Sequence, residues 1–292
     1  MSAYAQLLDA AIRDLEGRKE CGERFVVVAP DSLSALAAPR SQRREQAEAV
    51  SQPRLPAAAP RPVQTVAPSS LRVQPLATVP TPEKSAAFAE LRSRVMACVK
   101  CPHLVASRQS VVFGAGDLNA QLMFVGEAPG ADEDRLGEPF VGAAGQLLTK
   151  IISAMGQTRQ AVFIANVLKC RPNQPPGEPG NRKPHHDEMA TCLPYLREQI
   201  QLVQPRVIVA LGGTAVEGLF SMSDAGITRR RGSWMDFLGT PVMPTFHPSY
   251  LLRAEAGADQ GRALKRQVWE DMLQVMERLG LPISERQRDY FK

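Results

Sequence analysis

Gln121-Leu122-Met123-Phe124-Val125-Gly126-Glu127-Ala128-Pro129-Gly130 passes from an unbroken apolar run into a turn punctuated by glycine and proline that carries one carboxylate. The run is too short for an amphipathic helix and lacks the alternation of a half-exposed strand, so it predicts a strand buried on both faces. Two runs of the same kind follow, Val162-Phe163-Ile164-Ala165 and Arg206-Val207-Ile208-Val209-Ala210-Leu211. A weaker fourth is Pro241-Val242-Met243-Pro244-Thr245-Phe246, whose two prolines predict an edge position. Helical patterns lie between them, over Ala143–Met155, His186–Val203, Thr214–Phe220 and Gln260–Leu279. This alternation predicts a parallel sheet with helices on both faces.

That topology has a positional consequence. Glu127 follows the first strand, Asn166 ends the second, Gly212-Gly213-Thr214 follows the third and His247-Pro248-Ser249 follows the fourth. In open parallel sheets ligands bind beyond the carboxyl ends of the strands, so these residues are expected on one rim.

Around this region the chain is uneven. Its 292 residues and net charge of +5 suit a soluble protein with a sizeable core and are compatible with a polyanionic partner without requiring one. No apolar stretch approaches the ~20 residues that span a bilayer, and the first thirty residues lack a signal-peptide layout, so a cytoplasmic chain is expected. In residues 1–30, Tyr4, Leu7, Leu8, Ala11, Ile12 and Leu15 recur at helical spacing and Phe25-Val26-Val27-Val28 reads as a short strand. Residues 31–84 hold nine prolines and no aromatic side chain, the composition of a flexible tether. The N-terminal segment is therefore expected to act as an anchor for a protein partner. Residues 85–292 are left as the folded domain.

Five cysteines make a complete disulfide framework unavailable. Cys98 and Cys101 form a Cys-x-x-Cys pair, and Cys170 and Cys192 lie far along the chain. Four thiolates can hold either a tetrahedral zinc or an iron–sulfur cube, and their spacing does not choose between these. Cys21 falls outside the set.

Several uncommon stretches occur together and in order. They are Gly126-Glu127-Ala128-Pro129-Gly130 with Glu133-Asp134, Gly137 to Gly145, Asn166 to Pro172, Asn181-Arg182-Lys183-Pro184, Cys192-Leu193-Pro194-Tyr195-Leu196 and His247-Pro248-Ser249-Tyr250-Leu251-Leu252-Arg253. Between about Ala89 and Leu279 the chain resembles the family-4, iron–sulfur class of uracil-DNA glycosylases. The resemblance implies a three-layer α/β/α sandwich with a four-stranded parallel sheet and a monomeric catalytic domain. It also implies a [4Fe–4S] cluster held by Cys98, Cys101, Cys170 and Cys192, and uracil-containing DNA as partner. The reaction implied is extrusion of uracil and hydrolysis of its N-glycosidic bond, with no membrane involved.

Roles carry over residue by residue. His247 is expected to donate to uracil O2 and stabilise the leaving anion, Glu127 to hold or activate the attacking water, and Glu133 to exclude the thymine methyl. Phe140 is expected to stack on the base, and Asn166 to match uracil N3–H and O4, a pattern that cytosine reverses. Gly126, Ala128, Pro129, Gly130 and Asn181 complete the expected substrate-binding set. Ser249, Arg253, Arg171 and Arg182 are expected on phosphates, and Leu251 as the wedge that fills the space left by the base.

Two departures stand out. Ala128 occupies a place where other glycosylase families carry an aspartate, and a Pro/Gly-rich insertion runs from Gln174 to Gly180. They leave room for a rival function, a protein of the same fold that binds uracil-containing DNA without turning it over; a second rival is a metal-dependent scaffold or redox protein in which the cysteines matter and the histidine loop does not.

Overall fold

The computed structural model describes residues 79–172, 180–255 and 261–291. The helix and strand expected within 1–30, the tether up to residue 78 and most of the insertion lie outside the described residues. In chain order the described residues form α1 (Pro82–Met96), α2 (Pro102–Val105), β1 (Ala115–Gly116), β2 (Leu122–Gly126), α3 (Ala131–Leu136), α4 (Ala143–Ala154), β3 (Phe163–Asn166), α5 (His186–Val203), β4 (Val207–Leu211), α6 (Gly213–Phe220), α7 (Ile227–Arg230), β5 (Met235–Phe237), β6 (Thr240–Thr245), α8 (Pro248–Ala254), α9 (Arg262–Leu279) and α10 (Glu285–Arg288).

All four expected strands are present and mutually parallel, in the order β3-β2-β4-β6. The sheet is six-stranded rather than four-stranded, because β1 and β5 add short antiparallel edges. Two- and three-residue strands carry no readable period, which is why the sequence does not announce them. The expected edge position of the fourth strand is also corrected. β6 is internal, between β4 and β5. Its Pro244 turns away from β4, to the side where β5 has already ended and the Gly232 amide donates to its carbonyl at 3.2 Å. The missing N–H is not demanded there.

Burial on both faces is visible strand by strand. In β2, Leu122 and Phe124 join a cluster with Leu148, Ile152, Trp269, Met272 and Met276 on the α4/α9 side. Met123 and Val125 join Leu193, Leu196, Ile200, Val216 and Leu219 on the α5/α6 side. Helices therefore cover both faces, and the fold is a three-layer α/β/α sandwich.

The first helix begins earlier than position 85. Thr81 caps α1 by accepting from the Lys84 amide at 3.2 Å, with Pro82 at the first helical position and Glu83 in the first turn. Helix-start chemistry outweighs the tether-like composition of these last residues.

Register places the ends of the strands together. Gly126 lies opposite Asn166, and Leu211 opposite Thr245. The chain continues across these seams, with the Val167 amide on the Gly126 carbonyl at 3.0 Å, Leu168 on Glu127 at 3.0 Å and Gly212 on Thr245 at 2.8 Å. No helix among the described residues is long and apolar enough to cross a membrane.

Candidate active site

A cavity of about 840 Å³ opens at this rim, and Glu127, Asn166 and His247 all line it. Ala128, Pro129, Gly130, Glu133, Phe140, Asn181, Arg182, Ser249 and Arg253 line it as well, so most of the expected set converges. Gly126 sits behind the wall.

His247 caps the N-terminus of α8. Its Nδ1 accepts the Ser249 amide at 3.1 Å and lies 2.7 Å from Ser249 Oγ. An Nδ1 that accepts an amide proton is unprotonated, so in the neutral ring Nε2 carries the hydrogen. Burial, with Arg253 adding to it, lowers the imidazole to about 4. Near neutral pH the site therefore presents an uncharged N–H donor.

Asn166 is 2% exposed, and its Oδ1 has no hydrogen-bond partner. A buried, unpaired amide oxygen at a cavity wall is costly unless a ligand meets it. Phe140 adopts φ 53°, and its ring centroid lies 5.7 Å from that of His247. That backbone is held from two sides. Glu133 accepts the Val141 and Gly142 amides, each at 2.9 Å, while Arg159 donates to the Pro139 carbonyl at 2.8 Å. Burial raises the Glu127 carboxyl, partly countered by a hydrogen bond with Thr214 and by the charge of Lys183. Thr214, at the start of α6, was visible only as part of a glycine-rich turn.

The cysteines gather on the other side of the Asn166 strand end. Cys101, Cys170 and Cys192 share a small apolar cluster with Leu91, Val95 and Leu104, and Tyr195 hydrogen-bonds to Cys98 there. All four are free thiols. Arg108 donates to Cys170 Sγ at 3.0 Å, and the Lys169 amide donates to Cys192 Sγ at 3.4 Å. Burial raises the Cys101 and Cys170 thiols and pushes Cys192 up to about 11, with neighbouring cysteines adding to each shift. Among the described residues no three His, Cys, Asp or Glu side chains are placed to share one metal ion. The donor chemistry, four sulfurs around one patch with N–H groups aimed at two of them, fits a thiolate-bound cluster with several metal atoms.

The profile of the "Uracil DNA glycosylase superfamily" matches residues 113–273. A Type-4 uracil-DNA glycosylase of Thermotoga maritima is 46% identical over 181 residues, covering 61% of this chain and 88% of the relative. Others from Pyrobaculum aerophilum and Sulfurisphaera tokodaii are 41% and 42% identical, over 57% and 56% of this chain and 85% and 74% of theirs. The chain belongs to the family-4 uracil-DNA glycosylases.

Within this family frame the structure redirects several residue expectations. Leu251 is 2% exposed and packed in the α4/α9 cluster, so it cannot reach into DNA. Its neighbour Tyr250 is 43% exposed and lines the cavity. Glu133 lines the cavity too, but its Oε2 accepts the Gly130 amide at 3.0 Å while Oε1 holds two others. Its carboxylate braces the wall through these three amides. Arg171 is outside the lining set, and its Nε donates to Asn181 Oδ1 at 2.8 Å. Arg182 is clasped by the buried Glu188 carboxylate at 2.9 and 2.5 Å. That pair engages both terminal nitrogens of the guanidinium at the cavity wall.

That Glu188 clasp predicts acid sensitivity. Burial pushes the carboxyl upward, but hydrogen bonds from Arg182, His103 and the His185 amide outweigh it and hold it at about 2. Its stabilising contribution is complete above the ordinary value of 4.5 and is lost as pH falls toward 2. Urea melts at pH 5 and pH 3 are expected to show a smaller loss for Glu188→Gln than for the unaltered chain. Equal losses would count against the clasp.

Proposed function

We propose that this enzyme extrudes uracil from DNA into the cavity and hydrolyses its N-glycosidic bond, leaving an abasic site. The observation that carries the reading is the shared cavity of Glu127, Asn166 and His247. Breaking the bond leaves positive character on the sugar and an anion on the base. His247 Nε2–H donates to uracil O2 as that charge develops, a role worth about 3–4 kcal/mol where a donor is preorganised. Glu127 orients the water and accepts its proton; its raised carboxyl is a stronger base than an exposed one. Its charge also counters the sugar cation. Asn166 meets N3–H with its unpaired Oδ1 and O4 with its amide NH₂, and Phe140 stacks on the ring.

On the DNA side, Tyr250 takes the wedge position and Arg253, with Ser249, contacts phosphate. Ala128, Pro129, Gly130 and Asn181 shape the wall. Cys98, Cys101, Cys170 and Cys192 would hold a [4Fe–4S] cluster, tying the loop of Cys98 and Cys101 to the Asn166–Cys170 segment. When bound, it would cross-link these two segments. Binding iron would require these buried thiols to give up their protons, which a coordinated metal favours.

Two measurements test this. Incubated with a single-uracil oligonucleotide and then alkali, the chain is expected to release a shortened strand; binding without abasic-site formation would instead favour a non-catalytic binder. Cys170→Ala is expected to abolish the broad visible absorption of the purified protein and to lower its melting temperature. An unchanged spectrum sinks the cluster assignment.

A further inference from the structure

Lys169 is 1% exposed, and Asn166 three residues before it is also buried. The lysine Nζ donates to the Asn166 carbonyl at 2.8 Å and to Gln199 Oε1 at 2.6 Å. Gln199, also fully buried, donates through Nε2 to the Phe113 carbonyl at 2.9 Å. The backbone of Lys169 is fixed as well, with its carbonyl accepting the Val112 amide at 2.8 Å. Among the described residues this ammonium makes no ion pair with a carboxylate, and the Cys192 sulfur acts on its charge. Burying an ammonium carries a large desolvation cost, and an apolar side chain would fill the same space more cheaply. The return is visible at Asn166, the last strand-paired residue of β3, where the ammonium binds the carbonyl of the residue whose side chain lines the cavity.

We propose that Lys169 is a positioning residue for uracil recognition: its ammonium fixes the end of β3 so that the Asn166 amide waits for the base in one orientation. The proposal rests on Asn166 recognising the base, as argued above. Asn166 presents an unsatisfied oxygen, and the place from which its amide reaches the cavity is set by where the β3 backbone ends.

The test is a double-mutant cycle on a single-uracil oligonucleotide, made in the full chain as purified. Lys169→Met is expected to lower kcat/KM by about tenfold or more alone, and by less than about threefold when Asn166 is already alanine. A lysine that only supports the fold would cost the same factor in both backgrounds, and that additivity overturns the proposal. So does a wild-type rate for Lys169→Met. Should Asn166→Ala itself leave kcat/KM unchanged, the recognition reading fails first and takes the proposal with it. If Lys169→Met does not melt cooperatively, Gln199→Met, which removes the second partner of the same ammonium, replaces it in the cycle. Loss of folding in both variants overturns the proposal by making the ammonium a folding requirement.

Discussion

His247→Ala is expected to lower kcat on a single-uracil oligonucleotide by about 10²–10³-fold, with a much smaller change in KM. The argument starts from the proton. Nδ1 accepts the Ser249 amide, so Nε2 carries the hydrogen, and burial with the Arg253 charge holds the ring neutral down to about pH 4. A neutral donor preorganised toward O2 gains strength as the leaving group becomes an anion, so its loss falls on the transition state. The fold should survive, because losing the cap of α8 costs about 1 kcal/mol. The variant also changes acid stability in a defined direction. The folded-state value lies below the ordinary 6.5, so the unfolded chain binds the extra proton, and the stability tied to the imidazole is lost as pH falls from 6.5 toward 4. His247→Ala should flatten that part of the curve in urea melts. A kcat within tenfold of the unaltered enzyme would remove His247 from the mechanism.

Gly126→Ala is expected to lower kcat/KM by about 10²-fold through one added methyl group. Built on this backbone, the new Cβ would lie 2.4 Å from Asn166 Oδ1 and 2.5 Å from Phe140 Cζ. The backbone conformation tolerates alanine, so the conflict is with the two side chains to which the proposed mechanism assigns contact with the base. Both would have to move, and displacement of recognition groups by about 1 Å can cost that factor. Overpacking at this site should also lower stability by about 1–3 kcal/mol. Steady-state kinetics beside a urea melt separate the two effects. Full activity with an intact melt would show that Asn166 and Phe140 do not need their observed positions.

The elements were largely legible because a buried parallel strand leaves a distinctive trace. Leu122 to Val125 and Val207 to Leu211 are apolar throughout, since helices cover both faces of each. Asn166 and His247 could be placed on one rim from the strand order of the chain alone. The short edges β1 and β5 could not be read, and the prolines of β6 pointed the wrong way because the direction of each missing N–H depends on the neighbouring strand. Cys98, Cys101, Cys170 and Cys192 were recognisable as a set, but the Arg108 and Lys169 donors that face two of their sulfurs come from folding.

Side-chain direction and charge partners mark where sequence reading stopped. Leu251 and Tyr250 are adjacent, yet one is packed against α4 and α9 while the other faces solvent, and only the docking of α8 separates them. Arg182 reads as a free cation until Glu188 is seen around it, and Glu133 as a free acid until the amides of Gly130, Val141 and Gly142 occupy it. Lys169 gives no sign in sequence of being buried. The order of amino acids was enough for strands, helices and the reactive turns, because hydrophobic period and turn chemistry act between near neighbours. Which donor faces which acceptor, and which charge remains unpaired at the cavity, was decided by packing between segments tens of residues apart, where burial raises the cost of every unmatched polar group.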